Sequence, residues 1–190
     1  NNNNTVTGKW SSNTAAASAQ AVVVTDNAIS NPNEVDSIKL TFKSPTMIAA
    51  KSSSGDEKPA NCELRIFLGY KKTGDNAFTQ KLMFGPTDED LSSRQTNKQS
   101  RPWENAHNSG RIRTETRTPF AESFTIDLTP YKPLSDYQIT IQRVDPAIGK
   151  NGDYNHTAAV TLDTVEHRFT DKLSYPHAAY SAVLFDAESF

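Results

Sequence analysis

The sequence predicts a mainly β protein: an antiparallel β-sandwich, immunoglobulin/fibronectin-III-like, with a long polar loop insertion and little helix. Three observations lead there. Short runs rich in Val, Ile, Phe and Thr alternate apolar and polar residues at a period of two, the pattern of a strand with one face buried. No stretch keeps an apolar period of 3.6 residues over three helical turns. Two β-rich arms flank the polar stretch Lys71 to Asn76, which contains Gly-Asp-Asn, and this is a hairpin signal. A single sheet cannot seal its own apolar face, so a second layer is required, and about seven or eight strands are expected.

Taken in order, residues 1–20 are mostly Asn, Ser, Thr and Ala and read as a polar lead-in. Residues 21–25 (AVVVT) and 36–42 (DSIKLTF) read as strands, Ile38, Leu40 and Phe42 alternating with Lys39 and Thr41. Met47 and Ile48 prolong the apolar character past Pro45, and 51–61 reads as a solvated loop. The hairpin arms are 62–70 and 77–85. In the first, Leu64, Ile66 and Leu68 share the packed face, while Glu63, Arg65 and Phe67 share a face expected to be largely wet. Residues 86–118 hold few apolar anchors besides Leu91, Trp103 and Ile112, and read as a long loop of the kind used for binding or assembly.

Beyond it, 122–128 and 136–144 alternate again, with Phe124, Ile126 and Leu128, then Tyr137, Ile139 and Ile141, around the Pro-rich turn 129–135. A Gly- and Asn-rich loop at 146–155 precedes extended segments at 158–170 and 178–190, joined by a Pro-interrupted link. The expected organisation is a lead-in at 1–20, a sandwich at 21–145 carrying the loop 86–118, and C-terminal β segments at 146–190 leading towards the next domain of a longer protein.

Composition narrows the functional classes. The 190 residues carry 20 Lys and Arg against 22 Asp and Glu, a formal charge of −2, and the pI is about 6.1. Such a chain has no overall positive field to draw in phosphate backbones or anionic lipid, so neither nucleic-acid binding nor membrane insertion is expected of this segment. Apolar residues make up 35% and the mean hydropathy is −0.64, which implies a small core and much solvated loop. The single cysteine, Cys62, permits no internal disulfide. The absence of an initial Met and the ending on Asp-Ala-Glu-Ser-Phe lead us to expect a piece of a longer polypeptide.

Motifs for bond chemistry are missing. The histidines 107, 156, 167 and 177 lack ligand spacing, so no metal site is expected. Without a nucleophile elbow or a phosphate-cradling Gly loop, no catalytic residues, no enzymatic activity and no cofactor are expected either. The acidic run Asp88, Glu89 and Asp90 lacks calcium-loop spacing and reads as solvated loop. Arg101, Arg111 and Arg113 with Trp103 form the candidate interface. Glu104 and Glu115 dilute their charge, favouring a protein partner over a nucleic acid. Trp10, Trp103 and Tyr154 lie in polar surroundings that suit stacking on sugar faces, so the alternative is a carbohydrate- or receptor-binding module.

The C-terminal third adds a resemblance. YKPLSDYQITIQRVDP, a variable loop, and then HRFTDKLSYPHAAYSAVLFDAESF resemble the tail tip attachment protein J family of lambda-like siphophages. The matching positions are Arg143, Asp145, Pro146, Asp171, Lys172, Leu173, Tyr175, Pro176, Ala178, Ala179, Val183, Leu184, Asp186, Ala187 and Phe190. The match is specific over 131–190 and looser over 20–130. Ala178 replaces the Ser or Thr of the family pattern, and the 86–118 insertion replaces a short loop. The resemblance implies a structural virion protein, a central tail fibre or baseplate hub at the distal end of the phage tail. It also implies a trimer of such subunits in contact with neighbouring tail proteins, and a host receptor bound through regions outside this chain. Tyr175 and Pro176 would then form the turn by which the chain leaves the sandwich, because Pro176 fixes its own φ and holds Tyr175 extended.

Overall fold

Two strands with strong alternation become the centres of two sheets. The computed structural model describes residues 22–24, 31–90, 110–144, 148–151 and 154–169. The first sheet is organised around β5 (Ala60–Lys71), which has β9 (Asp136–Arg143) on one side and β1 (Val22–Val24) beyond it. On its other side β5 pairs with two strands in succession, β6 (Thr79–Phe84) and β7 (Arg111–Thr114). The second sheet is β12 (Thr161–Phe169), β2 (Val35–Ser44) and β8 (Phe120–Asp127), with β2 central. A small third sheet runs β10 (Ile148–Asn151), β11 (Tyr154–Ala158), β3 (Met47–Lys51) and β4 (Glu57–Lys58). Every pairing is antiparallel.

The first two sheets share one core. Ile38, Leu40 and Phe42 of β2, Ile126 of β8 and Val165 of β12 cluster with Leu64, Ile66 and Leu68 of β5 and Ile139 and Ile141 of β9, all at most 1% exposed. Of the alternating apolar positions expected to pack, Phe124 is only partly buried. It lies at one open side of the sandwich, edge-on to Phe42 (centroids 5.8 Å apart) and Phe84 (5.1 Å). Phe84 belongs to β6 and Phe124 to β8, so these two edge strands lie along the same side, where Met83, Phe120 and Tyr131 are also partly buried against the core. Tyr131 stands on a short 3₁₀ turn (Thr129–Tyr131) inside the expected Pro-rich turn.

The third sheet continues the second around a corner. β12 pairs with β2 as far as Thr161 and Lys43, and β11 pairs with β3 from Ala158 and Met47 onward. At the bend the buried Ser44 hydroxyl sits 2.6 Å from the Ala159 carbonyl and 2.9 Å from that of Thr46. The Arg143 guanidinium donates to the Ala158 carbonyl at 2.7 Å from the end of β9. This is a charge-assisted bond that satisfies a carbonyl the bend withdraws from the ladder.

Several expectations are corrected. The stretch 51–61 is not all loop, since β4 pairs with β3 there. The stretch 146–155 contributes β10 and part of β11, which pair antiparallel from Ile148 opposite Thr157 to Asn151 opposite Tyr154. Residue 145 is not a boundary, because β12 is laid against β2 and buries Leu162 and Val165 in the common core. The expected strand 178–190, the lead-in and the turn at Tyr175 and Pro176 lie outside the described residues.

Ile66→Ala, at a fully buried position facing the opposite sheet, is expected to lower stability by roughly 2–5 kcal/mol. Urea unfolding followed by tryptophan fluorescence and circular dichroism checks this, and a loss below ~1 kcal/mol contradicts the packing described.

Candidate interaction site at the stem of the insertion

The strands β6 and β7 lie end to end along one edge of β5. Phe84 pairs with Ile66 and Arg111 with Glu63, so Gly85 and Gly110 stand opposite the two intervening residues, Arg65 and Leu64. Leu64 donates its N–H to the Gly110 carbonyl at 2.9 Å. Both glycines have positive φ, +100° and +64°, and a Cβ on either would come within 2.1 or 2.2 Å of the Leu64 carbonyl oxygen. A Cβ on Gly110 would also lie 2.9 Å from the Gly85 Cα. The chain therefore leaves the edge at one glycine and re-enters it at another in contact with the first, a junction that no residue with a side chain could form.

The insertion expected as one loop at 86–118 thus begins from a stem, and its last part is strand. β7 pairs with residues 60–63 of β5, and Thr116 then exchanges backbone hydrogen bonds of 2.9 Å with Met47. At the other end the acidic run is not loose loop. Thr87 and Asp90 cap one another: the Thr87 N–H and hydroxyl each donate to the Asp90 carboxylate at 2.8 Å, and the Asp90 N–H donates back to the Thr87 hydroxyl at 3.1 Å. This is a capping box, and residues 88–90 are helical. Acidic groups there also complement the positive end of the helix dipole.

Charged side chains gather around the stem on the outer face of β5. Arg65, whose side chain is only 12% exposed, bonds Asp88 at 2.9 Å and lies over the Phe67 ring at 4.8 Å. Arg111 donates to the Asn61 side-chain carbonyl at 3.2 Å and opposes Glu63 in the register. Glu63 is itself 3% exposed. Arg113, opposite Asn61, is exposed. Arg117 pairs with Glu57 of β4. The expectation that Glu63, Arg65 and Phe67 face water is corrected. With β9 on one flank and β6 and β7 on the other, β5 is an interior strand whose cross-strand neighbours shade its outer face.

Of the residues singled out from the sequence, Arg111 and Arg113 sit together on β7, while Arg101 and Trp103 lie outside the described residues. The sequence reading singles out none of Asn61, Gly85 and Gly110, and it takes Arg65 for a wet-face residue and Asp88 for solvated loop. A usable signal existed in the two glycines bracketing a polar stretch and in the Thr-x-x-Asp spacing after Pro86. Tyr154 has Lys58 Nζ 3.5 Å from its ring centroid, so one ring face is already taken by a cation. Among the described residues no group of three or more His, Cys, Asp or Glu is placed to hold a metal ion, and no helix is long and apolar enough to cross a membrane. Comparison with known proteins finds no family model that matches the chain and no curated protein similar to it.

Gly85→Ala is expected to destabilise by more than about 1 kcal/mol, since it adds a backbone clash to a positive φ. Gly74→Ala at the hairpin tip, with φ +97° but nothing within 4 Å, should lose less. Equal losses in thermal or urea unfolding would remove the argument for a tight junction.

Proposed function

We propose that this chain is a structural β-sandwich segment of a bacteriophage tail tip or baseplate hub, at the distal end of the virion tail. In this reading it serves tail assembly and host attachment and entry through protein–protein interfaces rather than bond chemistry. The observation that carries the reading is the residue run from Tyr131 to Phe190, whose Arg-bearing strand, Asp-x-Lys-x-x-Tyr-Pro element and closing Asp-Ala-x-x-Phe resemble the J family of lambda-like siphophages. The partners are other copies of the same tail tip protein, in a trimer, and neighbouring tail proteins. A host receptor is engaged by regions outside this chain.

The stem supports a protein partner over a nucleic acid. Arg65, Arg111 and Arg117 already have carboxylate or amide partners. Such compensated arginines add little counterion release on a polyanion, but they suit the mixed-charge surface of a protein interface.

The test separates the sandwich from what its edge carries. Joining Gly85 directly to Gly110 deletes residues 86–109 while keeping the register on β5, so the variant should fold with near-native far-ultraviolet circular dichroism. In the full-length tail protein the same deletion is expected to abolish incorporation into tails, read by electron microscopy of particles and by plaque formation. Normal tails assembled from the deleted protein would overturn an assembly role for the insertion. Failure of the intact chain to associate with any tail component, assayed by co-purification from infected cells, would overturn the tail-tip reading itself.

A further inference from the structure

The edges of a sheet are open to pairing with another chain, and most edges here are blunted. β12 is broken in register twice, between Leu162 and Thr164 and between Arg168 and Phe169, and it carries Asp163, Glu166 and Arg168. β6 is broken opposite Ile66 and Phe67. β1, β4, β7 and β10 are two to four residues long.

β8 is neither short nor broken in register, and its only charges are the exposed acids Glu122 and Asp127. Its eight residues pair with β2 without a break, from Asp127 opposite Ser37 to Phe120 opposite Ser44. It contains no proline, lysine or arginine, and Ala121, Glu122, Ser123, Thr125 and Asp127 are exposed. Among the described residues no strand pairs with its second edge, and the direction of the backbone groups on that edge follows from one bond. Leu128 donates its N–H to the Asp36 carbonyl of β2 at 2.8 Å. By strand alternation Ile126, Phe124, Glu122 and Phe120 also turn their backbone groups towards β2. Ala121, Ser123, Thr125 and Asp127 then turn theirs outward. The close Thr41 to Ser123 hydroxyl contact, 3.0 Å, fits this phase, because non-hydrogen-bonded pairs bring side chains nearer.

We propose that β8 is a strand-addition edge whose occupant is β8 of a second copy, antiparallel about a two-fold axis at Phe124. The sequence of the strand is self-complementary in that register. Ser123 meets Thr125 of the other copy and Ala121 meets Asp127, so every outward N–H and C=O of the four residues finds a partner. Phe124 meets its own equivalent and Phe120 meets Leu128, joining the aromatic side of one sandwich to that of the other. The two acids of the strand never oppose each other, since Glu122 meets Ile126 and Asp127 meets Ala121. Each three-stranded sheet becomes half of a continuous six-stranded one, through an isologous contact. The inference does not rest on the tail-tip reading, and a two-fold contact is distinct from the trimer proposed there.

Sedimentation of the full chain over a concentration series is expected to show a monomer–dimer equilibrium. Thr125→Pro removes one outward N–H per copy and leaves the ladder to β2 intact, so it should raise the dissociation constant at least about tenfold. In the unmodified chain, amide exchange at Ala121, Ser123, Thr125 and Asp127 should slow as concentration rises, while exchange at Phe120, Glu122, Phe124 and Ile126 is slow throughout. A chain that stays monomeric, or a dimer or trimer that forms without protecting those four amides, overturns the proposal. So does a folded Thr125→Pro variant that dimerises as before. If Thr125→Pro does not fold, the exchange pattern decides alone.

Discussion

The carbonyl of Leu64 is approached from one side by two glycine backbones, and much of the molecule is arranged around that approach. A β-strand has one hydrogen-bonding edge on each side, yet β5 must serve β9 on one side and both β6 and β7 on the other. This works only if the two short strands share a line, one ending where the next begins. A polar excursion can then leave and return without opening the sheet, because the ladder sees an almost unbroken partner. The burial of Cys62, Leu64 and Ile66 beneath the junction follows from that continuity.

The same arrangement accounts for the charge pattern. An interior strand usually loses its polar face to neighbours, and polar groups so placed need partners. Arg65 finds Asp88 and the ring of Phe67, and Arg111 finds Asn61 across the ladder. The arginines of the stem are therefore part of how the insertion is fastened as well as part of the surface it presents. A substitution there changes anchoring and recognition together, whereas the exposed Arg113 can change recognition alone.

The strands around the main core were legible because burial of one face leaves a period of two in the sequence. Ile38, Leu40 and Phe42, or Leu64, Ile66 and Leu68, announce both the strand and its inward side. The strands that escaped, among them β4, β7 and β10, are short and mostly polar. Arg-Ile-Arg-Thr has one buried residue, Ile112, and is extended because the edge of residues 60–63 is waiting for it. Its strand character comes from tertiary context that no local pattern encodes. For the same reason Arg111 and Arg113 could be noticed as interface residue types, while Arg65 and Asp88 read only as wet-face and loop residues and Asn61 not at all. Their partnership depends on register and on the bracketing glycines.

The corner at Ser44 has a consequence for how the chain reaches its fold. The ribbon it bends is made of segments far apart in sequence: Lys39 of β2 meets Glu166 of β12 at 3.4 Å across 127 positions. β2 is an early strand whose second flank is supplied almost last, so the sandwich closes only when nearly the whole described chain is available. Such non-local pairing places the protein among slow folders, with closure times of milliseconds to seconds typical of β-sandwiches. Until β12 arrives, the edge of β2 and the space filled by Leu162 and Val165 stand open, and the half-made sandwich is the state most exposed to mispairing with its own kind.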